Sequence, residues 1–266
     1  MALILKKLYQ SYFWIFDELA DHRTDDWFLL EGPWYPAIIM IAYLYFVFKI
    51  GPAIMKNRPA FELKYTLIAY NIIQIFLNGY LLIRGVHMAR DINWICAEVD
   101  FTDNPTTRLT LKLAYLYFIV KIIDLFDTVF FILRKRERQV TFLHVYHHFG
   151  MIFLSWAGTK FLPGGHSLFV GLFNIIVHMV MYFYYLISAW DSKYKRSLWW
   201  KKHITQLQLL QFGALFIMFG SLLFQPNCKY PKFPAVAFVS QNIFVFLLFG
   251  DFYYKTYIKE KPSKCK

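Results

Sequence analysis

Apolar stretches of roughly 20 residues recur seven times along the chain, at 33–50, 64–86, 109–133, 141–160, 166–190, 204–224 and 235–254. Each predicts a helix long enough to cross a hydrocarbon core of ~30 Å. Glycine and proline mark the connections, at Gly51-Pro52, Asn57-Arg58-Pro59, Pro163-Gly164-Gly165 and Gln225-Pro226-Asn227. The connections are short, so consecutive helices are expected to be antiparallel neighbours. The pattern predicts an all-α membrane protein with seven transmembrane helices in a single domain. Residues 1–32 form an N-terminal segment, 33–254 the helical core and 255–266 a tail.

Composition agrees with the pattern. Of the 266 residues, 58% are hydrophobic and 17% charged, with a mean hydropathy of +0.38, which is too little charge for a soluble domain of this length. The first apolar stretch, Leu8 to Ile15, is short and is followed by Asp17 and Glu18, so no cleavable leader is expected. Asn104-Pro-Thr106 has proline where a glycosylation acceptor forbids it. There is no sustained repeat.

Charge fixes an orientation. Most of the 29 basic residues follow spans one, three and five or lie in the tail, among them Lys49, Arg134, Lys135, Arg136, Lys195, Lys201, Lys255 and Lys264. That excess marks the cytosolic side, with the N-terminus lumenal and the C-terminus cytosolic. The net charge of +12 therefore reflects sorting across a membrane, and nucleic acid is not an expected partner. Cys96 and Cys228 share the non-cytosolic side, where an oxidising compartment permits a disulfide. Two free thiols are the alternative.

Polar residues inside the spans form stripes. His144, His147 and His148 are spaced i, i+3, i+4, on one helix face. Lys121, Asp124 and Thr128 form another stripe, with Asp127 at its edge, and Asn174, His178, Tyr182 and Tyr185 a third. Thr205, Gln208 and Gln211 are expected in the first three turns of span six. At ~1.5 Å per residue, the three clustered histidines lie roughly 5–12 Å from the cytosolic face and His178 roughly 18 Å from it. Asp127, Asp124 and Lys121 fall at roughly 10, 15 and 20 Å by the same rise. Ionisable groups at such depth are costly and face a protein interior or a cavity. Each group has a bland reading: packing histidines, a structural Lys121–Asp124 ion pair, glutamines bridging helices. Convergence of four stripes at one depth favours a reaction centre.

His-x-x-His-His admits two chemistries. A di-iron centre uses imidazole ligands, but such membrane oxidases spread about eight histidines over three boxes, and this chain has one box. Metal-free acyl transfer needs a histidine as nucleophile or base with a neighbour that sets its tautomer, a role open to Asp124 and Asp127. No cysteine falls in a span, so a cysteine nucleophile is excluded on placement. A non-enzymatic seven-helix receptor or transporter explains the span count but not the convergent ionisable groups. Spacing alone does not choose between His147 and His148.

These residues resemble the very-long-chain fatty acid elongases, 3-ketoacyl-CoA synthases of the endoplasmic reticulum, over essentially the whole chain. The elements that carry the resemblance are Lys121-Ile-Ile-Asp124-Leu-Phe-Asp127-Thr-Val-Phe-Phe-Ile-Leu-Arg-Lys135, His144-Val-Tyr-His147-His148, His178-Met-Val-Met181-Tyr182-Phe-Tyr184-Tyr185 and Thr205-Gln-Leu-Gln208-Leu-Leu-Gln211. Gly32-Pro-Trp-Tyr-Pro36 and Met55-Lys-Asn-Arg-Pro59 look like the branch that acts on saturated and monounsaturated chains. Asp124 stands where the family usually has glutamate, one methylene longer. The resemblance implies a six-helix barrel of spans two to seven around a substrate tunnel. It also implies condensation of acyl-CoA with malonyl-CoA, with no cofactor. By resemblance His147 carries the acyl group; His178 is then expected to assist decarboxylation or stabilise the enolate, and His144 and His148 to orient His147 or shuttle protons. Asp124 and Asp127 stand behind them. Gln208, Gln211 and Asn174 are expected to donate to oxyanions, Lys121 and Tyr182 to line the substrate site, and Arg134 and Lys135 to meet CoA phosphates. The family also pairs cysteines corresponding to Cys96 and Cys228. The implied partners are the bilayer and the reductases and dehydratase of the elongation cycle, with a homodimer left open. Lys261-Pro-Ser-Lys264-Cys-Lys266 resembles an imperfect dilysine retrieval signal.

Overall fold

The computed structural model describes residues 2–259, so the dilysine-like tail and Cys265 lie outside the described residues. Among those residues every regular element is helical. The helices are α1 (Ala2–Phe13), α2 (Trp34–Tyr45), α3 (Gly51–Met55), α4 (Lys64–Ala89), α5 (Pro105–Ile123), α6 (Phe126–Leu133), α7 (Phe142–Phe161), α8 (Ser167–Trp190), α9 (Ser192–Lys195), α10 (Leu198–Leu223) and α11 (Lys232–Tyr253). Five units are long and apolar enough to cross a membrane: Trp34–Met55, Lys64–Ala89, Ser167–Trp190, Leu198–Leu223 and Lys232–Ile258. Their exposed faces are apolar, for example Phe76, Ile83, Ile217 and Leu247, as expected of surfaces that meet lipid. The other two expected spans fall short by composition. α5 carries Arg108, Lys112 and Lys121, and α7 carries three histidines.

Three boundaries differ from the sequence expectation. Gly51-Pro52 does not end the first span. A π turn over Phe46–Ile50 joins α2 to α3, and the Gly51 amide donates to Phe46 O. Pro52 sits in the first turn of α3, where a missing N–H costs little. The third span breaks into α5 and α6 at Asp124 and Leu125, where the Asp127 amide donates to Asp124 O instead of continuing the α pattern. The sixth starts at Leu198, six residues early, because no proline or glycine stops the run through Trp199 and Trp200. Thr205 and Gln208 therefore lie within the first three turns of α10 and Gln211 just beyond them, in the fourth.

Six helices contact one another in a closed order, α4–α5–α7–α11–α10–α8 and back to α4, while α2 packs on α7 and α3 on α6 from outside that circuit. At one end the loops are tied together. Cys96 and Cys228 form a disulfide with Cα atoms 5.7 Å apart, and the His166 amide donates to Ala97 O at 2.9 Å. Gly165 has φ +53, and a Cβ there would lie 2.8 Å from Glu98 O. The loop requires glycine at that position.

Candidate active site

The histidine box occupies the first two turns of α7. Thr141 caps that helix, its hydroxyl accepting from the His144 amide at 3.2 Å. The i, i+3, i+4 spacing turns the three rings toward the interior. His144 and His148 have ring centroids 4.4 Å apart, and His147 and His148 5.7 Å. His144 Nε2 lies 2.8 Å from Thr128 Oγ1, and Thr128 is 2.9 Å from the Tyr43 hydroxyl. α2 thus reaches the box from outside the circuit through two hydroxyls.

A second cluster joins α4, α5, α6 and α8. Lys121 Nζ donates to Asp124 Oδ2 at 2.8 Å, with both side chains at most 2% exposed. Asp124 Oδ1 accepts from Gln74 Nε2 at 2.8 Å and from the Tyr182 hydroxyl at 2.9 Å. Tyr182 also lies 3.0 Å from Asp127 Oδ2. A charge pair this buried is tolerable because its oxygens are satisfied. His178 Nδ1 stands 3.4 Å from Lys121 Nζ and 3.4 Å from Asp124 Oδ2.

These contacts revise the sequence expectation. Neither Asp124 nor Asp127 bonds to His144, His147 or His148 among the described residues, and the partner of His144 is Thr128. With its short side chain, Asp124 pairs with Lys121 first. The polar stripes named from the sequence pass over Gln74, Tyr43 and Tyr70, whose hydroxyl accepts from Gln74 Nε2 at 3.0 Å. Tyr70, Gln74 and Asn78, spaced i, i+4, i+8 in an otherwise apolar span, were a readable signal. Tyr43, one of 19 tyrosines, offered none.

A cavity of about 1310 Å³ runs inside the six-helix circuit. Its walls come from all six helices, including Leu81 and Gly85 of α4, Leu113 and Tyr117 of α5, Gly158 of α7, Gly171 of α8, Leu215 of α10 and Val245 of α11. The lining is mostly apolar; at the box end His147, Asn174 and Gln211 reach the wall, and at the opposite end Asp21, His22 and Arg23 do. The Asn174 Oδ1 accepts from the Tyr117 hydroxyl at 2.9 Å, which leaves its NH₂ to face the cavity. Of the four histidines named from the sequence, His147 alone lines this cavity among the described residues. His178, His148 and His144 sit behind that wall. Gln208 is half-buried and is not among the residues that line it. Among the described residues no three His, Cys, Asp or Glu side chains converge as ligands of one metal ion.

Arg134 is half-buried and Lys135 exposed at the end of α6, close to the box end of the bundle. Burial first, then the like charges of Arg136, Arg134 and Lys201, hold the Lys195 ammonium below its ordinary pKa. The cations at that surface therefore crowd one another.

Fold and site together define a membrane-embedded helical protein that places one imidazole at the inner end of a long apolar cavity. The ELO family model, described as the GNS1/SUR4 family, matches residues 28–265. A very long chain fatty acid elongase of Aedes aegypti is 40% identical over 99% of this chain and 74% of its own length. Very long chain fatty acid elongase 7 of Rattus norvegicus is 40% identical over 92% of this chain and 88% of its own. Elongase 1 of Mus musculus is 37% identical over 91% and 88%. The chain belongs to the ELO (GNS1/SUR4) family.

Proposed function

We propose that this chain catalyses the condensing step of fatty acid elongation. Long-chain acyl-CoA and malonyl-CoA give a 3-oxoacyl-CoA two carbons longer, carbon dioxide and CoA. The observation that carries the reading is His147, the one imidazole of the histidine box that faces the long, mostly apolar cavity. His147 attacks the thioester and becomes an acyl-imidazole, its ring proton leaving with the CoA thiolate. Malonyl-CoA then loses carbon dioxide. The resulting enolate attacks the acyl carbon, the acyl–nitrogen bond breaks, and the departing imidazolate takes up one proton from solvent to restore the neutral imidazole. Asn174 and Gln211 donate to the developing oxyanion, an interaction whose loss costs ~2.7–4 kcal/mol per donor. His178, held by Lys121 and Asp124 behind the wall, assists decarboxylation, and His144 and His148 orient His147. The crowded cations Arg134, Lys135, Arg136, Lys195 and Lys201 meet CoA phosphates, which relieve their mutual repulsion.

In this reading α5–α6 and α7 join the five apolar units as spans, giving seven, and the six-helix circuit is a barrel around a substrate tunnel. The basic loops face the cytosol, the disulfide lies in the lumen of the endoplasmic reticulum, and the reductases and dehydratase of the elongation cycle act next. A homodimer is compatible with this arrangement. Purified protein incubated with acyl-CoA alone should gain the mass of one acyl group, located on His147 by peptide mapping and absent in His147→Ala. No adduct, together with strictly ternary kinetics, would remove the covalent step. Loss of malonyl-CoA-dependent elongation in His147→Ala membranes tests the enzyme assignment itself.

A further inference from the structure

The far end of the cavity is not made by the barrel helices alone. Trp14, Ile15, Glu18 and Leu19, and then Ala20 to Arg23, line it. These residues precede the family match, which begins at residue 28. The segment is fastened at defined points. Lys160, at the end of α7, is 2% exposed, and its Nζ donates to Asp25 Oδ1 at 2.6 Å and to Thr24 Oγ1 at 3.3 Å. The Asp21 amide donates to Lys160 O at 2.8 Å. Arg23 forks onto Asp21 and reaches Thr102 O at 2.6 Å. A buried ammonium left without its carboxylate is strongly unfavourable, so this attachment holds the segment on the barrel.

We propose that residues 14–23 are the end wall of the acyl cavity and set the longest chain it accepts. The inference rests on the reading of the cavity as the acyl site. Between His147 and Leu162, both on the wall, α7 advances roughly 22 Å. Beyond that length an apolar chain end meets Leu19 and the polar collar of Asp21, His22 and Arg23. Pushing further methylenes in would strip water or partners from those ions without replacing them.

Product profiles from membranes supplied with malonyl-CoA and acyl-CoAs of graded length test this. Leu19→Trp should end the series one two-carbon round earlier. Trp14→Ala with Leu19→Ala should extend it by one round, each changing the ratio of longest to next-longest product by roughly tenfold, the value of a methylene in an apolar pocket. Tyr9→Ala, on α1 outside the cavity, should leave the series unchanged. Gly158→Leu is the internal reference: it projects into the cavity roughly three-quarters of the way from His147 to Leu162, where a Cβ meets nothing within 4 Å. If Gly158→Leu shortens the products while both Leu19 variants leave them unchanged, the end-wall proposal is wrong and the acyl-site reading stands. If Gly158→Leu also has no effect in active, folded protein, the acyl-site reading fails first. A Tyr9→Ala shift as large as that of Trp14→Ala with Leu19→Ala would also overturn the proposal, because the effect would then belong to the whole segment and not to its wall.

Discussion

At the scale of single residues, the site is held by hydroxyls and one ion pair. If Tyr43 donates to Thr128, the Thr128 proton is free for His144 Nε2, and the ring next to His148 is fixed in one tautomer. Thr128→Val should leave that nitrogen buried without a partner, a loss of ~1–3 kcal/mol. Single-turnover assays should show acylation slowed roughly tenfold, the equivalent of ~1.4 kcal/mol, with little change in the KM for acyl-CoA. Tyr43→Phe should have a smaller effect of the same kind. Asp124→Leu strands the Lys121 ammonium, at a cost of ~3–5 kcal/mol, and should lower the thermal midpoint of detergent-solubilised protein markedly. Lys121→Met combined with Asp124→Leu should recover much of that loss, since a fully apolar pair carries no stranded charge. The histidines, Lys121 and both aspartates were legible because ionisable groups stand out in apolar helices. Their partners were less so. Thr128 belonged to a visible stripe, but its attachment to His144 depends on how α6 lies against α7, which residue spacing does not specify. Tyr43 comes from a helix outside the circuit and carried no mark at all.

At the scale of elements, the apolar periodicity marked where helices run, and local hydrogen bonding decided where they stop. Gly51-Pro52 reads as a terminator, yet the π turn before it takes up the irregularity and the helix continues. The break at Asp124 does the reverse, interrupting an apolar run with no proline or glycine. For residues 1–32 the sequence supports a lumenal N-terminal segment and no more. Its contact with α7 through Lys160 was invisible, because nothing in the sequence links residue 25 to residue 160. This segment should also respond to pH. The Asp25 side chain 2.8 Å from His22 Nδ1, helped by the Asp17 carbonyl, raises the imidazole above its ordinary pKa. Burial acts to raise Asp25, but Lys160 and His22 outweigh it and keep the carboxyl below its usual range. A raised histidine contributes fully below its unfolded pKa of about 6.5 and loses that contribution as pH climbs through its folded value. The thermal midpoint of wild type should therefore exceed that of His22→Gln at pH 6, and the gap should close by pH 9. An equal gap at both values would mean that charge on His22 does not matter.

At the scale of the whole molecule, two closures define the fold. One is covalent. The disulfide spans 132 residues, and joining such distant points restricts the unfolded chain, a contribution of about 2–5 kcal/mol. Cys96→Ser with Cys228→Ser should lower the midpoint accordingly, read by scanning fluorimetry. The shared sidedness of the two cysteines was visible from loop charge, whereas their pairing needed the loops to meet. The other closure is the circuit of helices, and it constrains how the protein is made. α8 rests on α4 and α10, while α11 fills the place between α10 and α7, so the last of the six circuit helices in chain order completes the enclosure. Until the ribosome has released Lys232–Tyr253, the nascent bundle has an open flank through which His147 faces lipid or a chaperone. A chain terminated early therefore has its histidine box already translated but no chamber around it, and belongs to quality control before it meets any thioester.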